Sequence, residues 1–200
     1  MSCEIYTVIL AAGESSRMPG KIKQLLPWGS RTLLGHAISV VQPVSTKVMV
    51  VLGAYAEEIE AKLPHDIQRI INPNWKTGMG SSIFSGIQGI MEDKPMPDGV
   101  LFFLADQPFM DTTFLQEMNK VFNQENHAIV ATDYDKGYGV PAIFHKSLLP
   151  ELLKLDDKIG AKKLIQKYKS QCYAIQPKGR EVDVDTIEKY NQLIDRQNYG

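Results

Sequence analysis

A six-residue apolar run, Ile5–Leu10, empties directly into a loop of small residues, and this junction constrains the chain more than any other stretch. The loop reads Ala11-Ala-Gly-Glu-Ser-Ser-Arg-Met18 and is followed by Lys23-Gln-Leu-Leu-Pro27. The run is short and rich in β-branched residues, so it reads as a buried strand. Ala11, Ala12 and Gly13 carry no bulk, and their backbone N–H groups can close on phosphate oxygens. Arg17 and Lys23 can then neutralise charge that backbone dipoles alone cannot. The arrangement suits a triphosphate and makes a metal site elsewhere in the chain an expectation. The plainer account is a tight strand-to-helix turn carrying a surface arginine and lysine.

Two common nucleotide motifs are excluded. A P-loop needs glycine at Ser15 ahead of Gly20-Lys21 and a hydroxyl where Ile22 stands. The dinucleotide fingerprint needs glycines at Ser15 and Met18. Composition excludes more. A formal net charge of −1 leaves no global basic field for nucleic acid. Cys3 and Cys172 make no metal or CxxC spacing, which fits a reducing compartment with free thiols. The opening residues lack the basic start of a signal peptide, and no apolar run reaches the ~20 residues that span a bilayer. A cytoplasmic protein without a membrane partner is expected. The 200 residues fit one α/β domain, taken as 1–200.

Strand and helix patterns alternate along the chain. Strands are expected at Ile5–Leu10, Lys47–Leu52, Ile67–Ile71, Gly99–Ala105, Ala128–Thr132, Val140–Phe144, Cys172–Ile175 and Glu181–Val184. Helices are expected at Thr32–Val41, Tyr55–Leu63, Gly80–Met91, from Asp111 through Phe122, Lys146–Lys154, Ile159–Tyr168, and from Asp185 onward. Such alternation implies a mostly parallel sheet with helices on both faces.

Four further constellations could carry chemistry. Asp106 ends the most apolar strand, where a carboxylate at a parallel sheet's C-terminal edge can hold a hard cation against phosphates; it could equally cap the next turn. In Glu181-Val-Asp183-Val-Asp185, strand alternation puts three carboxylates on one face. Asp185 could join Asp106 at one Mg²⁺ or cap the last helix through Asp185-Thr-Ile-Glu188, and both uses stay open. Asn72-Pro-Asn-Trp75-Lys-Thr-Gly78-Met-Gly80-Ser81-Ser82 combines an aromatic face, small residues and a helix N-terminus, which suits a flat base or an anion. Gly137 and Gly139 permit a ligand's close approach or simply a hairpin. The four histidines read as surface or capping groups, and Cys172 as buried.

Leu10-Ala-Ala-Gly-Glu-Ser-Ser-Arg-Met18 with Lys23-Gln-Leu-Leu-Pro-Trp-Gly29 resembles the signature loop of the MobA-like nucleotidyltransferases, and most of all the molybdenum cofactor (molybdopterin) cytidylyltransferase branch. The similarity extends through Asn74-Trp75, Gly78-Met-Gly-Ser-Ser82, Ala105-Asp-Gln-Pro108, Gly139-Val-Pro141 and Asp183-Val-Asp-Thr186. The resemblance implies a Rossmann-like, three-layer αβα fold of the GT-A nucleotidyltransferase type. It implies transfer of CMP from CTP to the terminal phosphate of the molybdopterin cofactor, with release of pyrophosphate.

By the same resemblance, Arg17, Lys23 and Asp106 are the expected catalytic residues. Leu10, Ala11, Ala12, Gly13, Arg17, Lys23, Gly78, Ser81 and Ser82 are expected at the nucleotide, and Asp106 and Asp185 at Mg²⁺. One departure stands out: Pro19 replaces the glycine that usually follows Arg-Met, and the loop is one residue longer, so it must bulge and Lys21 competes with Lys23 for the phosphate role. A guanylyl donor, a sugar- or alditol-phosphate acceptor, or a non-catalytic accessory delivering cofactor to a molybdenum hydroxylase such as xanthine dehydrogenase are the competing readings.

Overall fold

The computed structural model describes residues 3–124, 127–155 and 160–199. Nine strands occur in chain order: β1 Ile5–Leu10, β2 Pro27–Trp28, β3 Arg31–Thr32, β4 Lys47–Leu52, β5 Gln68–Ile71, β6 Gly99–Leu104, β7 Ile129–Tyr134, β8 Gly137–His145 and β9 Cys172–Ile175. The α-helices are α1 Leu33–Val41, α2 Ala56–Glu60, α3 Met79–Glu92, α4 Thr112–Gln124, α5 Leu149–Leu152, α6 Lys162–Lys167 and α7 Ile187–Tyr199. The large sheet runs β5-β4-β1-β6-β8-β7-β9, and only β8 is antiparallel to its neighbours. β2 and β3 form a separate small hairpin turned by Gly29 at φ 58°.

Strand alternation sorts the core into two layers. Ile5 and Ile9 of β1 face Leu34, Ile38 and Val41 of α1, Ile59 of α2, and Phe114 and Met118 of α4. Tyr6, Val8 and Leu10 face Ile83, Ile87 and Ile90 of α3, Leu149 and Leu152 of α5, and Leu164 of α6. Helices therefore cover both faces of a mostly parallel sheet, as the alternation predicts. A third, smaller cluster packs Met18, Leu26, Trp28 and Leu33 against Val184 of the C-terminal segment and Leu193 of α7.

The chain order creates a crevice. From β1 the chain moves outward to β4 and β5, then crosses back over the sheet through α3 to lay β6 on the other side of β1. The direction of winding reverses between β1 and β6, the place where parallel α/β sheets open a binding crevice beyond their strand ends. Leu10 pairs with Leu104, so the two strands end level and their loops face one another.

Several expected elements differ in extent. The segment 181–185 forms no ladder; its backbone is tied to the turn after β6 by the Val184 amide, which donates to the Asp106 carbonyl at 2.8 Å. The alternation there is real, because Val184 is fully buried while Glu181 is exposed, but the buried face meets the third cluster and not a strand. Asp185 does not cap the last helix. Thr186 does, its hydroxyl accepting from the Lys189 amide at 3.2 Å, one residue later than the Asp185–Glu188 spacing suggests. The helix expected at Lys146–Lys154 is a 3-10 turn, Lys146–Leu148, followed by the four-residue α5. Ile159, the expected start of the next helix, lies outside the described residues. Gly137 and Gly139 belong to the β7–β8 hairpin. Cys172 is only partly buried, and burial pushes its thiol up to about 11.

α3 crosses the sheet closely because of Gly86, where an added Cβ meets Val8 Cγ1 at 2.7 Å. Alanine here gains roughly 0.5–1 kcal/mol of helix propensity and loses roughly 1–3 kcal/mol to overpacking. Gly86→Ala is therefore expected to lower the urea midpoint, by about 1 kcal/mol in unfolding free energy. A higher midpoint contradicts this account of the crossing.

Candidate active site

The loop after β1 is held by a side chain from farther along the chain. Gln24 is buried, and its Nε2 donates to the carbonyls of Ala11 (2.9 Å) and Gly13 (3.0 Å). Ser15, at φ 58°, accepts from the Lys23 amide at 3.0 Å. The bulge demanded by the extra residue is two successive turns, with Met18 N–H donating to Ser15 O and Lys21 N–H to Met18 O. Met18 is buried in the third cluster and pins the bulge, while Gly20 completes it at φ 70°.

These restraints decide which amides face the crevice. The Ala11 N–H is spent on Val51 O at 3.0 Å, extending the sheet, so it cannot serve a phosphate as the sequence reading expects. The amides of Ala12 and Gly13 have no acceptor among the described residues. A Cβ at Gly13 meets nothing within 4 Å, and its φ is not left-handed. Neither packing nor backbone demands glycine there; what the missing side chain leaves is room above the loop.

The opposite wall comes from the segment between β5 and α3. Trp75 lies against the loop because Gly53 lets it: a Cβ at Gly53 sits 2.5 Å from Trp75 Cβ and 2.8 Å from Ala12 O. Asn72 is buried; its Nδ2 donates to Ser81 Oγ (2.9 Å) and Ser82 Oγ (3.1 Å), and its Oδ1 accepts from the Asn74 amide. Ser81 also donates to Gly78 O at 2.8 Å. Ser81 thus folds the turn and does not line the cleft, contrary to expectation. Gly78 and Ser82 do line it, beside the N-terminal end of α3.

The result is a cleft of about 620 Å³ lined by Leu10–Glu14, Lys23, Gln24, Trp75, Lys76, Gly78, Met79, Ser82 and Leu104–Asp106. Lys23 Nζ lies 2.5 Å from Asp106 Oδ2 and 3.9 Å from Asp185 Oδ1. Arg17 pairs with Asp185 at 3.0 Å, is largely exposed, and stands outside the lining of the cleft. The expected residues Arg17, Lys23, Asp106 and Asp185 therefore form one chain of alternating charge. Lys21 is exposed and lies outside the cleft lining, which separates the two lysines.

Asp106 carries the most telling atom. Its Oδ1 is buried and has no hydrogen-bond partner, an expensive state for a carboxylate oxygen. A divalent cation satisfies such an oxygen, so the pair Asp106 and Asp185 fits one. Among the described residues no group of three or more His, Cys, Asp or Glu gathers to hold an ion. An ion held by this pair would take its remaining ligands from outside the chain, which is the usual manner of Mg²⁺.

Around this pair, the buried Gln107 donates to Asp183 Oδ1 (2.8 Å) and to the Tyr134 hydroxyl (3.1 Å). Tyr134 in turn donates to Val140 O, and burial pushes its phenol up to about 12. Desolvation of its carboxyl group raises Asp183, with Gln107 opposing. His36 is a half-buried bridge to Pro108 O rather than a surface group, and burial lowers its pKa; His145 does cap the following turn. Gln24, Asn72 and Gln107 hold the site together; each stands inside a motif quoted above, but sequence reading assigns none of them an individual role.

The sheet, its reversal point and the cleft above it define an α/β protein of the Rossmann-like nucleotide-handling class. The chain belongs to the MobA-like NTP transferase domain family, whose model matches residues 7–172. Among curated proteins it is 28% identical over 167 residues to a molybdenum cofactor guanylyltransferase from Vibrio campbellii, covering 81% of this chain and 78% of the relative. It is 23% identical over 175 residues to the bifunctional protein GlmU from Marinobacter nauticus, covering 86% of this chain and 38% of that protein. The chain thus spans well under half of the GlmU relative.

Among solved structures, Rv0371c from Mycobacterium tuberculosis H37Rv superposes with a TM-score of 0.80 at 25% identity, over 98% of this chain and 100% of the other. A second structure of Rv0371c is described as a complex with manganese and superposes with a TM-score of 0.76 at 23% identity, over 98% and 100% of the two chains. Among the described residues no helix is long and apolar enough to cross a membrane.

Gln24→Met keeps the volume of the side chain and removes both bonds to the loop. It is expected to weaken nucleotide binding at least tenfold by calorimetry and to lower stability by about 1–3 kcal/mol, the cost of leaving the buried Ala11 carbonyl unpaired. Unchanged nucleotide affinity in the folded variant contradicts the role given to Gln24.

Proposed function

We propose that this protein transfers CMP from CTP to the terminal phosphate of the molybdopterin cofactor, with Mg²⁺ held by Asp106 and Asp185. The observation that carries the reading is the buried, unpartnered Oδ1 of Asp106, a residue that lines the cleft and shares the Lys23 ammonium with Asp185. Both reactants are anions, so the barrier is mainly charge repulsion and misalignment, and catalysis comes from positioning and cationic clamping. When bound, the cation supplies positive charge where the two phosphates meet.

The chain's own residues do the rest. The amides of Ala12 and Gly13 cradle phosphate oxygens, with Leu10 and Ala11 as the flat wall behind them. Lys23, already inside the cleft, neutralises charge developing on the pyrophosphate. Arg17 assists from the cleft mouth, where its link to Asp185 sets its reach. Trp75, Gly78 and Ser82 form the side of the cleft suited to a flat base, with Ser81 fixing that turn. No side chain needs to act as general base, because the attacking phosphate is already ionised.

One observation favours a guanylyl donor as the second reading: the Vibrio campbellii relative matched over most of its length is named a guanylyltransferase. A cytoplasmic location and a molybdenum hydroxylase as recipient complete the proposal.

Pyrophosphate release, measured with CTP and with GTP in the presence and absence of molybdopterin, separates these readings. Release that needs molybdopterin and prefers CTP is expected. Asp106→Asn, Asp106→Ala or chelation with EDTA should reduce it at least a hundredfold in a protein whose circular dichroism is unchanged. Equal rates in Asp106→Asn and wild type remove the metal assignment, and preference for GTP moves the chain to the guanylyl reading.

A further inference from the structure

Asp185 has an unusual supporting structure. Its segment has no strand ladder, yet its carboxylate reaches the same Lys23 ammonium as that of Asp106, which lies in the turn just after β6. The connections converge on two adjacent residues. Asp106 accepts the Val184 amide through its own carbonyl at 2.8 Å. Gln107, the next residue, grips the Asp183 carboxylate through Nε2 at 2.8 Å. The residues flanking Asp185 on its N-terminal side are therefore tied to the two residues that carry and follow the first carboxylate.

Gln107 is itself fixed. It is 4% exposed, and its amide also meets the Tyr134 hydroxyl, which donates onward to the Val140 carbonyl. A buried amide costs free energy relative to an apolar residue of similar size unless its donors are used. Both donors here are used, one of them on the acidic segment. Resting on the metal-pair reading above, we propose that Gln107 is a positioning residue: its bond to Asp183 sets the distance between the Asp106 and Asp185 carboxylates, and so the affinity of the site for a divalent cation. Tyr134 steadies the amide and contributes little by itself, because the Asp183 bond survives without it.

The test is Mn²⁺ binding to the full chain in the presence of a non-hydrolysable CTP analogue, followed by the paramagnetic resonance of free Mn²⁺. Four variants are compared with wild type: Asp106→Asn, Gln107→Glu, the double exchange Gln107→Glu with Asp183→Asn, and Tyr134→Phe. In Gln107→Glu two carboxylates face each other, and Mn²⁺ affinity is expected to fall at least tenfold while affinity for the analogue without metal stays within twofold. The double exchange lets an asparagine amide donate to the new carboxylate and should return Mn²⁺ affinity to within threefold of wild type. Tyr134→Phe should remain within twofold.

A merely structural role moves the melting temperature without this split between metal and nucleotide, so melting curves accompany each titration. Wild-type Mn²⁺ binding that Asp106→Asn abolishes but Gln107→Glu leaves unchanged overturns the positioning role alone. Failure of the double exchange to restore binding in a folded protein also overturns it. Mn²⁺ binding indifferent to Asp106→Asn overturns the metal pair itself.

Discussion

Two carboxylates from distant parts of the chain meet at one ammonium group, and the remainder of the molecule can be read as the means of bringing them there. Asp106 and Asp185 both lie within ion-pair reach of Lys23, and Arg17 holds the far side of Asp185. Like charges at the base of a cleft repel strongly unless a cation stands between them. Lys23 fills that place and is at the same time the lysine of the proposed phosphate loop. The proposed magnesium and the proposed phosphate contact therefore draw on the same small group of charges, which couples nucleotide and metal through Lys23.

The sheet supplies the scaffold by its order of strands. Winding outward through β4 and β5 and returning over α3 to β6 leaves β1 and β6 adjacent and level at their ends. The close return depends on Gly86, and the approach of Trp75 to the loop after β1 depends on Gly53. The third cluster then does what the sheet cannot. Met18, Val184 and Leu193 share one small core, so the bulged loop bearing Arg17 and the unladdered segment bearing Asp185 are packed as a unit.

Much of this was legible in the residues. The apolar runs of β1 and β6 announce buried strands, and a carboxylate at the end of the second falls at the sheet's C-terminal edge by rule rather than by luck. Lys23 was separable from Lys21 only by their surroundings, since both follow the same loop. The acidic segment misled in one respect: alternation reports which side chains face a core, and Val184 does, but it does not report whether a neighbouring strand exists to make a ladder. Asp185 also satisfies the rule for a helix cap, yet Thr186 takes that role and leaves the carboxylate for Arg17. Gln24, Asn72 and Gln107 were unreadable for a common reason. An amide has no preferred period or partner type in sequence, and its function resides wholly in which carbonyl or carboxylate the fold brings to it.

The most direct measurement of the central claim is anomalous diffraction from crystals grown with Mn²⁺ and a non-hydrolysable CTP analogue. The account predicts a single ion coordinated by both Asp106 and Asp185 and by phosphate oxygens, with the Lys23 ammonium moved from Asp106 onto the phosphates. An ion held by only one of the two carboxylates, or a triphosphate bound outside the cleft above β1 and β6, contradicts it.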